Sequence, residues 1–77
     1  MSKFVISNTI RKLRFYNNEM TQQELAKKTG VSRQTIVAIE NSKYSPSLEL
    51  AFRISEVFKI KLEDVFSYEI IEDNDKK

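Results

Sequence analysis

The side chains best suited to chemistry stand side by side at Ser32, Arg33, Gln34 and Thr35. They are hydrogen-bonding groups rather than catalysts. A guanidinium can bridge O6 and N7 of guanine, an amide can bridge N6 and N7 of adenine, and a hydroxyl can serve either base or a phosphate. The chain has no His and no Cys. It also lacks a glycine-rich phosphate loop and any carboxylate spacing that would place an acid beside a base in a buried site. Enzymatic chemistry is therefore the weakest reading, and binding remains. Two ordinary packed helices with a polar, solvated face would carry the same residues. The flanking sequence separates the two accounts.

Residues 21–40, TQQELAKKTGVSRQTIVAIE, read as two short helices joined by one tight turn. Thr21 followed by Glu24 is a capping box, so a helix starts at 21. Leu25 faces one side, and Ala26 stands where only a methyl can separate two backbones. Gly30 is the only glycine in the chain and suits the left-handed residue that ends a helix. Val31 plugs the core at the turn, and Ser32 caps a second helix through its hydroxyl. Ile36 and Ile39 share the inner face of that helix, leaving Ser32, Arg33, Gln34 and Thr35 on the other. Cap, small residue, glycine and anchors are all in register. This is what a helix-turn-helix needs to hold two helices at a steep angle, and its second helix would enter a major groove with its N-terminal residues toward the base edges.

Seventy-seven residues make one domain, near the size at which a core is only just sufficient. With 40% hydrophobic and 31% charged residues, the composition is that of a helix-rich globular protein rather than a disordered one. The lack of Cys excludes a disulfide framework and a thiolate zinc site. No apolar run approaches the roughly 20 residues of a membrane span, and MSKFVISN lacks the long apolar region of a signal peptide, so the expected location is the cytoplasm. The net charge of +2 conceals a split: residues 1–61 carry 11 Lys and Arg against 5 Glu, and residues 62–77 carry 2 Lys against 6 acids. Positive charge is thus concentrated in the part that holds the motif, and the acidic end is expected to face away from phosphate. Ordinary surface solvation would produce a similar split.

Along the chain, KFVIS at 3–7 alternates like a short strand, and Asn8 offers a cap to TIRKLRFYNN. In that first helix Ile10, Leu13 and either Phe15 or Tyr16 line an apolar stripe, with Arg11, Lys12 and Arg14 outside it, available to phosphate or to solvent. NSKYSPS has loop composition. Pro46 suits the first turn of the next helix, and Ser45 or Ser47 can cap it. Leu50, Ala51, Ile54, Val57 and Phe58 form the stripe of a fourth helix. Phe52 falls off that stripe and is read first as core, second as partner-facing. Tyr44 and Ser45 lie where a DNA backbone would pass; the Tyr44 hydroxyl could donate to phosphate, or its ring could lid the core. LEDVF at 62–66 is a last short helix with Glu63 and Asp64 in its first turn, where the dipole favours them. SYEII at 67–71 alternates again. The two terminal strands can pair antiparallel, the rival being a frayed tail. Asp73, Asn74 and Asp75 lack the Gly and spaced Glu of a calcium loop and read as solvated.

The stretches TQQELA, GVSRQTI and IENSKYSPSLELA, within residues 9–66, resemble the phage repressor and Cro type of helix-turn-helix domain, the XRE class of small regulators. The strand at each end is similar to the small cytolysin-repressor-like members. The resemblance implies a mainly α, five-helix, lambda-repressor-like DNA-binding domain with a short antiparallel β-ribbon from the two chain ends. It implies that Gln22 grips a phosphate, that Arg33 and Gln34 meet base edges with Ser32 and Thr35 beside them, and that Asn41 and Lys43 contact backbone phosphates. Two positions depart from the pattern. Ala38 replaces a third base-reading Gln, shortening readout or substituting a thymine-methyl contact, and the NNEM turn before Thr21 is one residue longer than in many relatives. The expected function is a sequence-specific regulator of transcription, a repressor binding an inverted-repeat operator in double-stranded DNA as a homodimer, with the last helix at the subunit contact. It implies no cofactor, metal or small-molecule ligand. The alternative is an antitoxin-like or adaptor interaction module on the same fold.

Overall fold

The three longest helices each start at a side-chain cap. The computed structural model describes residues 3–71, in the order β1 (Lys3–Asn8), α1 (Ile10–Tyr16), α2 (Gln22–Thr29), α3 (Arg33–Glu40), α4 (Leu48–Phe58), α5 (Leu62–Val65) and β2 (Phe66–Ile71). The Thr21 hydroxyl accepts from the Glu24 amide at 3.0 Å, and the Glu24 carboxylate accepts from the Thr21 amide at 2.8 Å. Ser32 and Ser47 cap α3 and α4 by accepting from the Thr35 and Leu50 amides. At the other ends, α2 and α4 stop at a residue in the left-handed region, Gly30 (φ 79°) and Lys59 (φ 56°), and after α3 the left-handed residue is Ser42 (φ 59°), one beyond the Asn41 cap. In all three the next amide reaches back across the last turn, Val31 to Ala26, Lys43 to Ala38 and Ile60 to Ser55. This satisfies carbonyls that the helix end would otherwise leave open.

Between those caps every helix contributes an apolar stripe to one core. Ile10, Leu25, Ala26, Ile36, Ile39, Ile54 and Val65 have almost no exposure, with Leu50 and Phe58 nearly as deep and Val31 packed at the turn. Each large member is worth about 1.5–3 kcal/mol by removal from water. The chain ends close over this core as the antiparallel ribbon, with Ile6 opposite Tyr68 and Asn8 opposite Phe66. Asn8 locks the ribbon to the helices: its Oδ1 accepts from the Ile10 amide and its Nδ2 donates to the Ile39 carbonyl at 2.9 Å. The strands are one residue longer than the alternation suggested, and α5 gives way to β2 already at Phe66.

Several expectations fail. Phe52, read first as core, is 53% exposed, and Phe15 and Tyr16 are 61% and 70% exposed. Ile10 and Leu13 suffice for α1, which ends at Tyr16 before another turn could bury either ring. Arg14, placed outside the stripe, is inside the molecule, held by a partner 26 residues away. Pro46 precedes the Ser47 cap rather than occupying the first turn of α4, because the serine hydroxyl is the better N-cap group. The Asp73–Asp75 cluster and the rest of the acidic tail lie outside the described residues. Among the described residues no helix is long and apolar enough to cross a membrane.

The left-handed caps make opposite stability predictions. A Cβ built on Gly30 would meet only the flexible Arg53 guanidinium, at 3.5 Å, so Gly30→Ala should destabilise by about 1 kcal/mol through backbone strain alone. Lys59→Gly relieves the same strain and should stabilise by roughly 0.5 kcal/mol after the added entropy of the unfolded chain. Urea denaturation of the two variants should move the midpoints in opposite directions.

Candidate nucleic-acid interface

The capping and core contacts of α3 decide which of its side chains face outward. Ile36 and Ile39 are buried. At 3.6 residues per turn Gln34 and Asn41 lie opposite the buried pair, with Val37 and Ala38 on either side of them and Arg33 at the edge of the strip on the Val37 side. Ser32, Arg33, Gln34 and Asn41 are exposed, while Thr35, Val37 and Ala38 are partly covered. The Ser32 and Thr35 hydroxyls lie 3.0 Å apart and share a hydrogen bond, so this pair is ordered before any ligand arrives. Arg33 makes no ion pair among the described residues, which leaves its five N–H donors available.

Behind α3 lies a buried polar knot. The Arg14 guanidinium donates from Nε to Glu40 Oε2 at 2.7 Å, from Nη2 to Glu40 Oε1 at 3.1 Å and from Nη1 to the Met20 carbonyl at 2.8 Å. The two side chains are 15% and 7% exposed. Gln22 Nε2 donates to the same Glu40 Oε1 at 3.2 Å. One carboxylate at the end of α3 thus joins α1, the turn before Thr21 and the first residue of α2. It also orients the Gln22 amide. An amide carries two N–H donors, and Glu40 takes one of them.

Gln22, Arg33 and Asn41, far apart in sequence, come together around one open concave surface with Arg11 and Gln23, over the Arg14–Glu40 pair. The first turn of α2, rimming this surface, presents amide N–H groups that have no acceptor within their own helix. Lys43 projects from the loop after α3, its amide closing the helix end. Tyr44 and Ser45 border a different cleft, beside Ile6, Asn8 and Pro46 of the ribbon side. The Tyr44 ring is half exposed, so it does not lid the core. Sequence reading did not single out Gln23, Val37 or the positioning role of Arg14 and Glu40. Gln23 was within reach, since it follows a capping Thr, but nothing local connects Arg14 to Glu40.

The family model described as Helix-turn-helix matches residues 10–65. The chain belongs to that family, as an XRE-like member. An uncharacterised HTH-type transcriptional regulator of Methanocaldococcus jannaschii is 58% identical over 60 residues, spanning 75% of this chain and 91% of that one. A regulator of the same description from Bacillus subtilis is 50% identical over 46 residues, 60% of this chain and 70% of its own length. A solved structure described as a "putative DNA-binding protein" from Bacteroides fragilis overlays 82% of this chain and all of that one, with a TM-score of 0.70 at 22% identity. It shares the five-helix fold.

Breaking the Arg14–Glu40 pair should be expensive, because either lone charge would stay buried. Arg14→Met and Glu40→Leu should each remove about 3 kcal/mol of stability, while the double variant should lose much less than the sum. Urea titrations closing this double-mutant cycle measure the coupling directly.

Proposed function

We propose that this XRE-like helix-turn-helix protein is a DNA-binding transcriptional regulator that acts as a homodimeric repressor on an inverted-repeat operator. The observation that carries the reading is the exposed, unengaged Arg33 and Gln34 pair on the first turn of α3, held beside the Gln22 and Asn41 concavity. Bidentate groups on a free helix face serve base readout, and an adaptor would have no use for them. Arg33 and Gln34 meet base edges, with Ser32 and Thr35 at the groove wall. Gln22, Asn41, Lys43, Tyr44 and Ser45 position the domain on phosphates, which fix register without reading sequence.

Dimerisation follows from the size of the reading surface. One recognition helix offers too few base contacts for useful discrimination, and two-fold symmetry would set a pair of them about 34 Å apart on successive major grooves. The α5 helix, which with its surroundings is the subunit contact that the resemblance implies, buries Val65 in its own core and exposes Lys61, Glu63 and Asp64 around it. Uncovered apolar surface is found on α4, where Leu48 and Phe52, one turn apart, are 67% and 53% exposed, and also at Phe15 and Tyr16 of α1 and Tyr68 and Ile70 of β2. Leu48 and Phe52 follow directly on the loop that carries the phosphate-contacting residues, and we assign this flank to the second subunit. A repressor of this kind acts by occupying a promoter in the cytoplasm, with no cofactor or small ligand.

Arg33→Ala should weaken operator binding by about 1–3 kcal/mol and relax preference at one base pair per half-site, whereas Gln22→Ala should weaken all sequences alike. Fluorescence anisotropy against the promoter of its own operon, in rising salt, reads both effects. Salt-insensitive or absent binding would favour the adaptor reading. Phe52→Glu should give a monomer in sedimentation velocity and lose preference for the inverted repeat over a single half-site.

A further inference from the structure

The outward strip of α3 is not uniformly polar. Val37 stands one turn beyond Arg33 and one turn before Asn41, and both of those neighbours are exposed. The interior of the helix is already filled by Ile36 and Ile39, each buried to within 1% of full exclusion, and Val37 points away from them by helical spacing. Its side chain stays partly accessible, and no other side chain of α3 offers a branched apolar group to the outer face.

In the major groove only thymine shows an apolar group, its C5-methyl; every other edge there is a donor or an acceptor. A valine matched to that methyl removes both from water. Matched to a cytosine amine it would leave a donor desolvated and unpaired, which is unfavourable. Valine is also stiff, holding one strongly preferred χ1 in a helix, so its methyls arrive already placed. Helical side chains lean toward the N-terminus, which directs Val37 toward the Arg33 end of the strip. One helical turn rises 5.4 Å, less than two base-pair steps of 3.4 Å, so the two residues read neighbouring pairs. Ala38 on the same face carries a single methyl and reaches less far.

Resting on the proposed function, we propose that Val37 is a specificity-determining residue that selects a thymine, through its C5-methyl, within about two base pairs of the pair bridged by Arg33 in each half-site.

The test uses the full chain and a duplex operator enriched from a random library. Each thymine is replaced singly by deoxyuridine, which removes the methyl and leaves every hydrogen-bonding group in place, and Kd is measured by fluorescence anisotropy for the parent, Val37→Ala and Val37→Thr. One deoxyuridine position per half-site should weaken the parent about fourfold, the worth of one buried methyl-sized group. The same replacement should leave Val37→Ala unchanged, while Val37→Thr, which keeps one methyl and the shape, should retain part of the effect. Thermal melts of the three proteins establish that they are equally folded. If the operator is bound tightly but no thymine shows a Val37-dependent loss, the assignment is overturned and the regulator reading stands. If no sequence is enriched, both fall together.

Discussion

The orientation of α3 rests on a buried ion pair. Glu40 and Arg14 are both largely removed from water, which is unfavourable for either alone and tolerable only because the guanidinium fork meets the carboxylate at two points. Apolar contacts tolerate sliding by an ångström or so. A bidentate pair does not, because a small displacement leaves a charge buried and unmatched. The pair therefore sets where the C-terminal end of α3 sits against α1. Through the Arg14 bond to the Met20 carbonyl and the Gln22 bond to Glu40, it also sets where α2 begins.

The same knot also holds the turn before Thr21. Asn18 and Glu19 both adopt positive φ, at 58° and 53°, a conformation unfavourable for residues with a Cβ. The Arg14 carbonyl accepts from the Asn17 and Met20 amides while its guanidinium holds the Met20 carbonyl. The turn is thus closed from both sides by one residue, and the strained pair is retained because its neighbours are fixed.

Rigid presentation is what makes the α3 face useful. Both ends of the helix are held, by the Ser32 hydroxyl at one and by the left-handed Ser42 at the other, and its inner face is anchored in the core. Groups held in place before binding lose less conformational freedom on contact. The division of labour follows from chemistry: phosphates attract any basic surface, so charge provides approach and register, while discrimination needs directional groups and shape. On α3 the exposed directional groups are the Arg33 guanidinium and the Gln34 amide, both in its first turn.

Local chemistry was legible from the residues alone. The capping box at Thr21, the left-handed Gly30, the Ser32 cap and the Ile36 and Ile39 anchors each depend on neighbours within a few positions, so side-chain type and spacing determine them. The apolar stripe of α4 and the alternation at both chain ends were readable for the same reason. The features that emerge on folding involve partners distant in sequence. Arg14 reads as a surface residue until Glu40 is brought to it across 26 positions, and Gln22 reads as free until the same carboxylate orients it. Phe52, and one of Phe15 and Tyr16, read as core, yet a core of this size was already filled by other side chains. Periodicity tells which face of a helix a residue occupies; how much of that face is covered depends on where the other helices end.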